Sequence, residues 1–571
     1  MSKISRLFQS VPVEQQKASS FDMSHYSLGS AKCGQLIPIF KQEIIPGDLI
    51  SLGMMSQIDL PPMATPFMGR IDMRYEAFFV PNRICWGGWQ DFMTKQTDDP
   101  YNATIERSTV LPFITSNLAG VENLSRLIGR SSLFDYLGYR YDGNFAKANL
   151  YHSNTIGKDN VLCDNALPFL AYHRIYDDWY RNSQIMKPLF VRRLSSNQTP
   201  TISCFPWAQF NDTDSLAEID LESEFENGDT LTTIHQRCWA DDRFTTCALY
   251  PQAALTPQGA PITKSLTGSE VTIPNLRAAN ILQRYKEIKN LAGERYPDQL
   301  FAEYGVRPAD AILDRPLFLG SFSHGVYTSA IFNNTPTDKG NAKNPFSGQL
   351  GSAAGDTSGF GKDSLINGFK ATEHGYVIVI ASLVPHSFYS NGIDSDLLHS
   401  RIGDIASPKL QGLGEQPIYT PEVLGRYTVP TAGGVSAFGY SPQYSAYKYR
   451  NDEIHGELRD TPQYPTKNSD GSAQIPVPTT YGTGTLRAFA LQRTIKDEYE
   501  DISSAFLEIP VDFLDQVFAV TTANSGYSFL WYIQWQLTMT RPLAEYSIPT
   551  LGDPKDTYAT RMPLRGTQIK G

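Results

Sequence analysis

The sequence predicts a mainly β protein, because three segments have the residue pattern of strands. Apolar side chains occupy every second position of residues 71–80 and of residues 529–539, with charged residues at 72, 74 and 76 and polar residues at 534, 536 and 538 between them. Successive side chains of a strand point to opposite faces, so this alternation indicates strands that are buried on one face. Residues 376–383 form a continuous run rich in β-branched side chains, which predicts a strand buried on both faces.

Shorter features fit insertions into a β scaffold. Residues 36–50 contain two apolar runs separated by Pro46, Gly47 and Asp48, a turn sequence. Apolar residues at helical spacing predict helices near 168–181 and 275–291. Three polar or glycine-rich segments are predicted to be loops, at 195–230, 333–370 and 461–484.

The composition fits a globular chain that meets other chains. The protein has 571 residues, of which 41% are hydrophobic, 19% charged and 12% aromatic. A low charged fraction with many aromatic residues is typical of surfaces that subunits bury against one another. A large enzyme with an extensive core is the alternative.

The net charge argues against strong autonomous binding to duplex DNA. The chain carries 49 Lys and Arg against 59 Asp and Glu, a formal charge of -10. Proteins that bind duplex DNA by releasing counterions are basic, so only a local basic strip is compatible with DNA contact here.

The cysteines and the N-terminus are consistent with a chain that stays in a reducing cytoplasm. The six cysteines are scattered, which favours reduced thiols over a disulfide framework: Cys33, Cys85, Cys163, Cys204, Cys238 and Cys247. The first residues lack the apolar stretch of a signal peptide. The longest apolar stretch, near 376–385, is too short to span a bilayer, so no membrane insertion is expected.

No catalytic or metal motif is complete. Residues 355–363 approach a phosphate-binding loop, but the glycine spacing is one residue too long and Asp363 replaces the magnesium-binding hydroxyl. His235, Cys238 and Cys247 supply three soft ligands, whereas a structural zinc site wants four with paired spacing. We therefore expect no enzyme activity, no cofactor and no metal.

One stretch resembles a known family specifically. Residues 68–86 contain a strand ending in Phe78, Phe79, Val80 and Pro81, followed by Trp86 and a short predicted helix. This pattern is similar to that of microvirus major capsid proteins, in the gokushovirus branch. Further blocks follow in family order: LIP at 36–38, IPGD at 45–48, YHRIYDDWYR at 172–181, FAEYGV at 301–306, DRP at 314–316, EHGY at 373–376, GEQ at 414–416, FGY at 438–440 and Thr540-Arg541-Pro542.

The chain departs from that family in places, which marks it as a divergent member. It has Ala292, Gly293 and Glu294 where the family usually has Gly-Gly-Thr. Residues 485–509 and the tail after Pro542 match poorly.

The resemblance implies a fold and an assembly. The implied fold is an eight-stranded antiparallel jelly roll with long loop insertions that contain several helices. The implied assembly is a T=1 icosahedral shell of sixty copies around a circular single-stranded DNA genome, formed in the host cytoplasm and found in the virion. Implied partners are a small basic DNA-binding protein, a minor pilot-type capsid protein and a receptor on the bacterial host.

The expected organisation is a single capsid domain over residues 1–571. Core strands are expected near 34–56, 68–81, 374–385 and 525–540, with long insertions over 82–372. An N-terminal arm is expected over 1–20. In the family, an insertion forms protrusions around the threefold axes, and the acidic residues 212–229 place the candidate protrusion within 192–274.

Contact with single-stranded DNA is predicted where aromatic side chains alternate with cations, since every base offers a π-face for stacking. The densest such strip consists of Tyr444, Tyr447, Lys448, Tyr449 and Arg450, followed by Arg459. A weaker candidate on the N-terminal arm consists of Lys3 and Arg6. The alternative is that these tyrosines belong to a strand or a subunit interface.

A carbohydrate-binding or carbohydrate-active β protein is the alternative function. Aromatic-rich β scaffolds with acidic loops also bind sugars. The ordered family blocks and the lack of a carboxylate motif favour the capsid interpretation.

Overall fold

The fold is described by a computed structural model of the chain. The residues that it describes are 18–62, 69–86, 89, 93, 113–115, 130–138, 164–183, 186, 189, 218–220, 234–248, 300–302, 304, 305, 307, 309, 310, 312–332, 353–389, 392–400, 402–424, 437–453, 455, 504–511, 513, 514, 518 and 526–543.

The described residues form fourteen strands and several short helices. The strands are β1 (Ser19–Asp22), β2 (His25–Ala31), β3 (Ile37–Ile44), β4 (Leu49–Asp59), β5 (Ile71–Pro81), β6 (Phe113–Thr115), β7 (Asp164–Asn165), β8 (Glu218–Asp220), β9 (Leu317–Phe332), β10 (Ala353–Lys370), β11 (Gly375–Pro385), β12 (Glu415–Tyr419), β13 (Ala437–Pro442) and β14 (Phe529–Arg541). The α-helices are α1 (Asn82–Cys85), α2 (Leu133–Tyr136), α3 (Leu167–Ile175), α4 (Thr420–Leu424) and α5 (Ser504–Leu507). A π-helical segment, Tyr176–Tyr180, continues α3, and 3-10 turns lie at Ser395–Leu398, Ile402–Asp404, Gln411–Leu413 and Ser445–Tyr447.

Eight strands build two sheets with the connectivity of a jelly roll. One sheet has the spatial order β3-β11-β5-β9 and is called the covered sheet here; the other has the order β2-β14-β4-β10 and is called the open sheet. All the pairings are antiparallel, and β9 also pairs with β10 at the junction of the sheets. Along the chain, the first of the eight strands therefore lies beside the last, the second beside the seventh, the third beside the sixth and the fourth beside the fifth. This arrangement confirms the predicted antiparallel jelly roll.

The core between the sheets follows from the alternation in β5 and β14. In β5 the side chains of Ile71, Met73 and Tyr75 are fully buried between the sheets. In β14 the inward positions include Trp531 and Trp535, and the intervening residues lie on the exposed face. Aromatic rings of this size fill the space between the sheets because each buries a large apolar area.

Strand β11 is buried along its whole length, as its continuous β-branched run predicts. All eleven of its residues are buried. Val377 and Val379 face the core between the sheets, while Ile378 and Ile380 pack under helical segments on the other side. A strand that is covered on both faces has no position for a polar side chain without a partner, so the alternation disappears.

The expected insertion over 82–372 is too long, and residues 333–370 are not all loop. Strands β9 and β10 are core strands, so the insertion between β5 and β9 ends at residue 316. The glycines of β10 suggested a loop, but Gly359 and Gly361 allow close packing between strands. A Cβ added at Gly361 would approach His324 to 2.6 Å and Phe322 to 2.7 Å. Glycine in a strand interior marks such close approach.

Two long insertions leave the barrel. The first insertion is residues 82–316, between β5 and β9, and the second insertion is residues 386–528, between β11 and β14. The predicted helix near 168–181 is formed by α3 and the π-helical segment. The predicted helix at 275–291 and the predicted loop at 461–484 lie outside the described residues. The expected arm over 1–20 is shortened because β1 begins at Ser19.

We expect Phe79→Ala to lower the free energy of unfolding of the subunit by roughly 3–5 kcal/mol. Phe79 is 4% exposed, and its ring centre lies 5.1 Å from that of Phe369. Urea unfolding of the isolated chain, followed by tryptophan fluorescence, measures the change.

Phe360→Ala is the matched control, because Phe360 is 64% exposed on β10. It should change the free energy of unfolding by no more than about 0.5 kcal/mol. Equal losses in the two variants would show that β5 does not face the core.

Candidate subunit-contact and nucleic-acid surfaces

The first insertion covers the outer face of the covered sheet. Phe78, on the outer side of β5, packs on Trp179 with ring centres 5.6 Å apart, and Trp179 packs in turn on Phe318. Helix α3 is buried along almost its whole length in the same cluster. The apolar side of the helix predicted near 168–181, which carries Phe169, Tyr172, Tyr176 and Trp179, therefore seals one face of the barrel.

A buried ion pair fixes a second part of the insertion to the same sheet. Arg237 donates to both carboxylate oxygens of Glu76, at 2.8 and 2.9 Å, and to Ser382 Oγ at 2.9 Å. Tyr180 Oη also donates to Glu76. Burial raises the pKa of Glu76, but the hydrogen bonds and charge of Arg237 outweigh it and hold that pKa below its usual value. A paired carboxylate of this kind orders the segment that brings the arginine.

Two buried histidines face each other where the insertion meets the barrel. His173 Nδ1 lies 2.8 Å from His235 Nε2. The ring of Tyr176 stacks on His235 with centres 3.7 Å apart, and the backbone N–H of His235 donates to Tyr172 Oη. Burial, with a smaller contribution from His173, holds the pKa of His235 well below its usual value. The lack of His clusters in the sequence gave no indication of this pair.

The described C-terminal part of the expected protrusion over 192–274 is packed, not projecting. In residues 234–248, Trp239, Phe244 and Cys247 are buried. Backbone bridges join Gln236 to Gln35 and Ala248 to Tyr440. The aromatic residues of this segment need apolar partners, which the barrel and the second insertion supply. A protrusion within 192–274 would have to use other residues of that range; of these, the structure describes only β8.

The segment 234–248 also holds the two insertions together. Arg243 Nη1 lies 2.6 Å from Glu422 Oε2, and both side chains are less than a tenth exposed. Tyr389 Oη donates to Asp242 at 2.5 Å. A small apolar cluster surrounds these contacts, made of Met186, Phe244, Cys247, Tyr389, Ile418, Val423, Phe438, Phe506 and Leu507.

The part of the second insertion that follows β11 exposes a patch of large aliphatic side chains. Leu397 is 69% exposed, Ile402 89% and Ile405 58%. Described residues from 392 to 412 include no buried side chain, although three 3-10 turns order the chain there. Exposed apolar groups of this density mark contact surfaces. These exposed residues could not be predicted from the sequence, because aliphatic residues separated by Gly, Asp and Ser match neither helical nor strand periodicity.

The predicted DNA-contact strip lies beside this patch, and its five residues do not share one role. Tyr447, Lys448, Tyr449 and Arg450 are exposed. Tyr444 is only 4% exposed, so its ring offers no face to a base. The ring of Tyr447 stacks on that of His399 at 6.1 Å, and Tyr444 Oη donates to the backbone oxygen of Gly403. Lys3, Arg6 and Arg459 lie outside the described residues.

The electrostatic surroundings of the strip are acidic. Arg450 pairs with Glu453 at 3.3 Å and with Asp394 at 3.8 Å, and these carboxylates raise its pKa. The pKa of Tyr449 is raised by burial first and then by Asp242 and Asp452. Phosphate groups would meet this negative field, which opposes their binding.

The open sheet is bare on its outer face within the part of the chain that the structure describes. Leu28, Tyr532, Gln57 and Phe360 form a row across β2, β14, β4 and β10 by strand register. Leu28 is 75% exposed, and the ring of Tyr532 stacks on that of Tyr26 at 5.8 Å. Within the described residues, one side of the barrel is thus sealed by insertions and the other is not.

A further exposed apolar group lies just before β9. Phe301, Tyr304 and Ile312 are 47%, 67% and 76% exposed. The guanidinium carbon of Arg307 lies 4.1 Å from the ring centre of Phe301. This cation therefore sits on an apolar surface that is open to solvent.

The residues considered for a zinc site have other partners. Cys238 Sγ donates to the backbone oxygen of Tyr180, and Cys247 Sγ to that of Phe244. Within the described residues, no three His, Cys, Asp or Glu side chains lie close enough together to bind a metal. No helix in the same part of the chain has the length and apolar content needed to cross a membrane.

Comparison with known proteins identifies the family. The family described as "Capsid protein (F protein)" matches residues 9–465. The chain belongs to this capsid protein family. It is therefore a structural protein of the virion, and proteins of this family assemble into a capsid.

Curated relatives agree with the family match. The chain is 27% identical to capsid protein VP1 of Bdellovibrio phage phiMH2K over 79% of this chain and 84% of the relative. It is 23% identical to capsid protein VP1 of Chlamydia phage 1, over 95% and 97%. It is 22% identical to capsid protein VP1 of Spiroplasma virus 4, over 78% and 82%. These matches support a major capsid protein and do not favour the carbohydrate-binding alternative.

We expect the His173–His235 pair to make the capsid subunit less stable in mild acid. The pKa of His235 is lower in the folded chain than in the unfolded chain, so the unfolded state binds more protons below pH 6.5. Stability is full above the unfolded pKa and falls as the pH drops toward the folded pKa, by at most about 1.4 kcal/mol per pH unit for one proton. Urea unfolding between pH 7.5 and 5 measures this slope.

His235→Gln should lower the free energy of unfolding at pH 7.5, because it removes the stack on Tyr176. It should also make that free energy depend less steeply on pH below pH 6.5. His386→Gln is the control, since that histidine is about half exposed. A slope that His235→Gln leaves as steep as in the unsubstituted chain would exclude the pair as its cause.

Proposed function

We propose that this chain is the major capsid protein of a small single-stranded DNA phage and that sixty copies form a closed T=1 shell. The observation that carries the proposal is the jelly roll, in a chain that belongs to a capsid protein family. Two sheets packed face to face give a rigid wall unit, and the insertions provide surface for contacts between copies. Identical subunits with heterologous contacts close into a shell when their rotations close.

We infer that the shell encloses a circular single-stranded DNA genome and that other molecules neutralise most of that genome. A net charge of -10 per copy cannot balance packaged phosphates. A small basic DNA-binding protein or polyamines would supply the counter-charge. A minor pilot-type capsid protein and a receptor on the bacterial surface complete the proposed set of partners. Assembly takes place in the host cytoplasm, the chain is not inserted into a membrane, and it catalyses no reaction.

We further infer that the strip at 447–450 contacts another subunit and not DNA. Arg450 is paired with carboxylates, Lys448 donates to the backbone oxygen of Gln443, and the neighbouring Tyr444 is buried. Exposed Tyr447 continues the aliphatic patch of Leu397 and Ile402, to which His399 connects it. Aromatic and aliphatic residues with few unpaired charges are typical of interface cores.

Electron microscopy of the purified protein and of infected-cell lysate tests the shell directly. Isometric particles built from this chain are expected. A monomer that stays monodisperse under all assembly conditions and binds or cleaves glycans would overturn the proposal.

Replacing Lys448 and Arg450 together with Gln tests the role of the strip. We expect folded subunits with a reduced yield of particles, and a normal DNA content in the particles that form, because Arg450 holds Asp394 and Glu453 in place. Particle yield and the ratio of absorbance at 260 and 280 nm provide the two measurements.

Lys362→Gln with Lys370→Gln removes the same charge from β10 and is the control. A normal yield of shells that contain or retain less genome would show instead that the strip binds DNA. Unchanged yield and unchanged genome content would exclude both roles.

A further inference from the structure

Two exposed apolar patches lie in different insertions of the subunit. The Ile402 patch consists of Leu397, Ile402, Ile405 and Tyr447, in the second insertion. The Arg307 patch consists of Phe301, Tyr304, Arg307 and Ile312, at the end of the first insertion. Each patch exposes side chains that a soluble monomer normally covers.

The two patches belong to insertions that join opposite ends of the covered sheet. The backbone N–H of His386 donates to the oxygen of Arg70, so the second insertion begins at the Ile71 end of β5. Leu317 pairs with Phe79, so the first insertion returns to the sheet at the Pro81 end. The eleven residues of β5 that separate these two junctions span about 36 Å at roughly 3.3 Å each.

The charges of the two patches are complementary. Asp396 lies in the turn that carries Leu397, and its Oδ1 accepts the N–H of Leu397. Its charge helps to raise the pKa of Arg450, but among the described residues it makes no ion pair within 4.0 Å. Asp394 adds a second carboxylate beside it, held near Arg450. On the other patch, Arg307 contacts the ring of Phe301 and makes no ion pair within the described part of the chain. An apolar surface with a carboxylate thus matches an apolar surface with an arginine.

We propose that the Ile402 patch of one copy docks on the Arg307 patch of the next copy, with Asp396 facing Arg307. This inference rests on the proposed shell, and it names one of the contacts that closes the shell. Because the two patches consist of different residues, the contact is heterologous. Head-to-tail contacts of this kind close into rings when the rotation between copies is a fraction of a full turn.

A second copy of the chain fits the Ile402 patch better than nucleic acid does. Nucleic acid would bring phosphates to Asp394 and Asp396, and like charges repel. Arginine stacked on an aromatic ring retains free donors at its edge, which suit a carboxylate approaching from another chain. The family to which the chain belongs assembles from many copies, so such a partner is always present.

A charge-swap experiment on the full chain tests the contact. Arg307→Glu alone and Asp396→Arg alone should each reduce the yield of particles about tenfold or more, since each places like charges face to face. The double variant, Arg307→Glu with Asp396→Arg, restores opposite charges and should recover most of the yield. Particle yield is measured by sedimentation and electron microscopy, and circular dichroism checks that the subunits remain folded.

Asp59→Arg on the open sheet provides a control with the same change of charge away from both patches. If either single variant fails to fold, Arg307→Gln and Asp396→Asn replace the reversals, with smaller losses expected from each. Normal assembly of both single variants would overturn the proposed contact. Loss of assembly without recovery in the double variant would overturn the pairing of Asp396 with Arg307.

The unsubstituted protein separates this inference from the proposed function. If it forms shells but the swap gives no recovery, only the head-to-tail contact is wrong. If it forms no shells under any assembly condition, the proposed function itself fails.

Discussion

Burial of Glu76 on the outer face of β5 is the constraint on which the rest of the structure depends. A carboxylate in the middle of a central strand must be paired when its sheet is covered, since an unpaired buried charge costs several kcal/mol. Arg237 supplies that pairing and also bonds Ser382 on the neighbouring β11. The segment that carries Arg237 is therefore fixed across two strands of the covered sheet.

Consequences of this pairing spread to both insertions. Two residues before Arg237, His235 is fixed against His173 of α3, which orders the helical part of the first insertion. Further along, Arg243 reaches Glu422 and so ties the second insertion to the first. A single ordered segment thus holds elements that are far apart in the sequence. The cover that the described residues give to one sheet follows from where this segment lies.

Local sequence pattern could predict the strands whose burial is regular and the helix near 168–181. Strands β5 and β14 correspond to the alternation of residues 71–80 and 529–539, and β11 corresponds to the continuous run at 376–383. The pattern is regular there because the burial of each side chain depends on the sheet face to which it points. Strand β10 was missed because Gly361 accommodates neighbouring rings, and a glycine-rich sequence looks the same in a loop. The tertiary contacts of that segment, and not its local propensity, determine that it forms a strand.

The candidate surfaces show the same limit. The exposure of 447–450 could be predicted from its polar and aromatic composition, but its electrostatics could not. The carboxylates that surround Arg450 include Asp394, fifty-six residues away in the sequence and brought near by the fold. A cation adjacent to tyrosines in the sequence is therefore weak evidence for a nucleic-acid site until the acids around it are known.

Charge also sets the conditions under which copies of this subunit can meet. Each copy carries a net charge of -10, so copies repel one another at long range. Salt screens that repulsion beyond a Debye length of about 8 Å at physiological ionic strength, whereas groups in direct contact across a dry interface are screened much less. Complementary charges and apolar burial at the contact can then stabilise the association of two copies against only a weak long-range repulsion. A chain with few charges and many aromatic residues suits this balance, because its contacts depend mainly on buried area and need only a few charge pairs to fix their register.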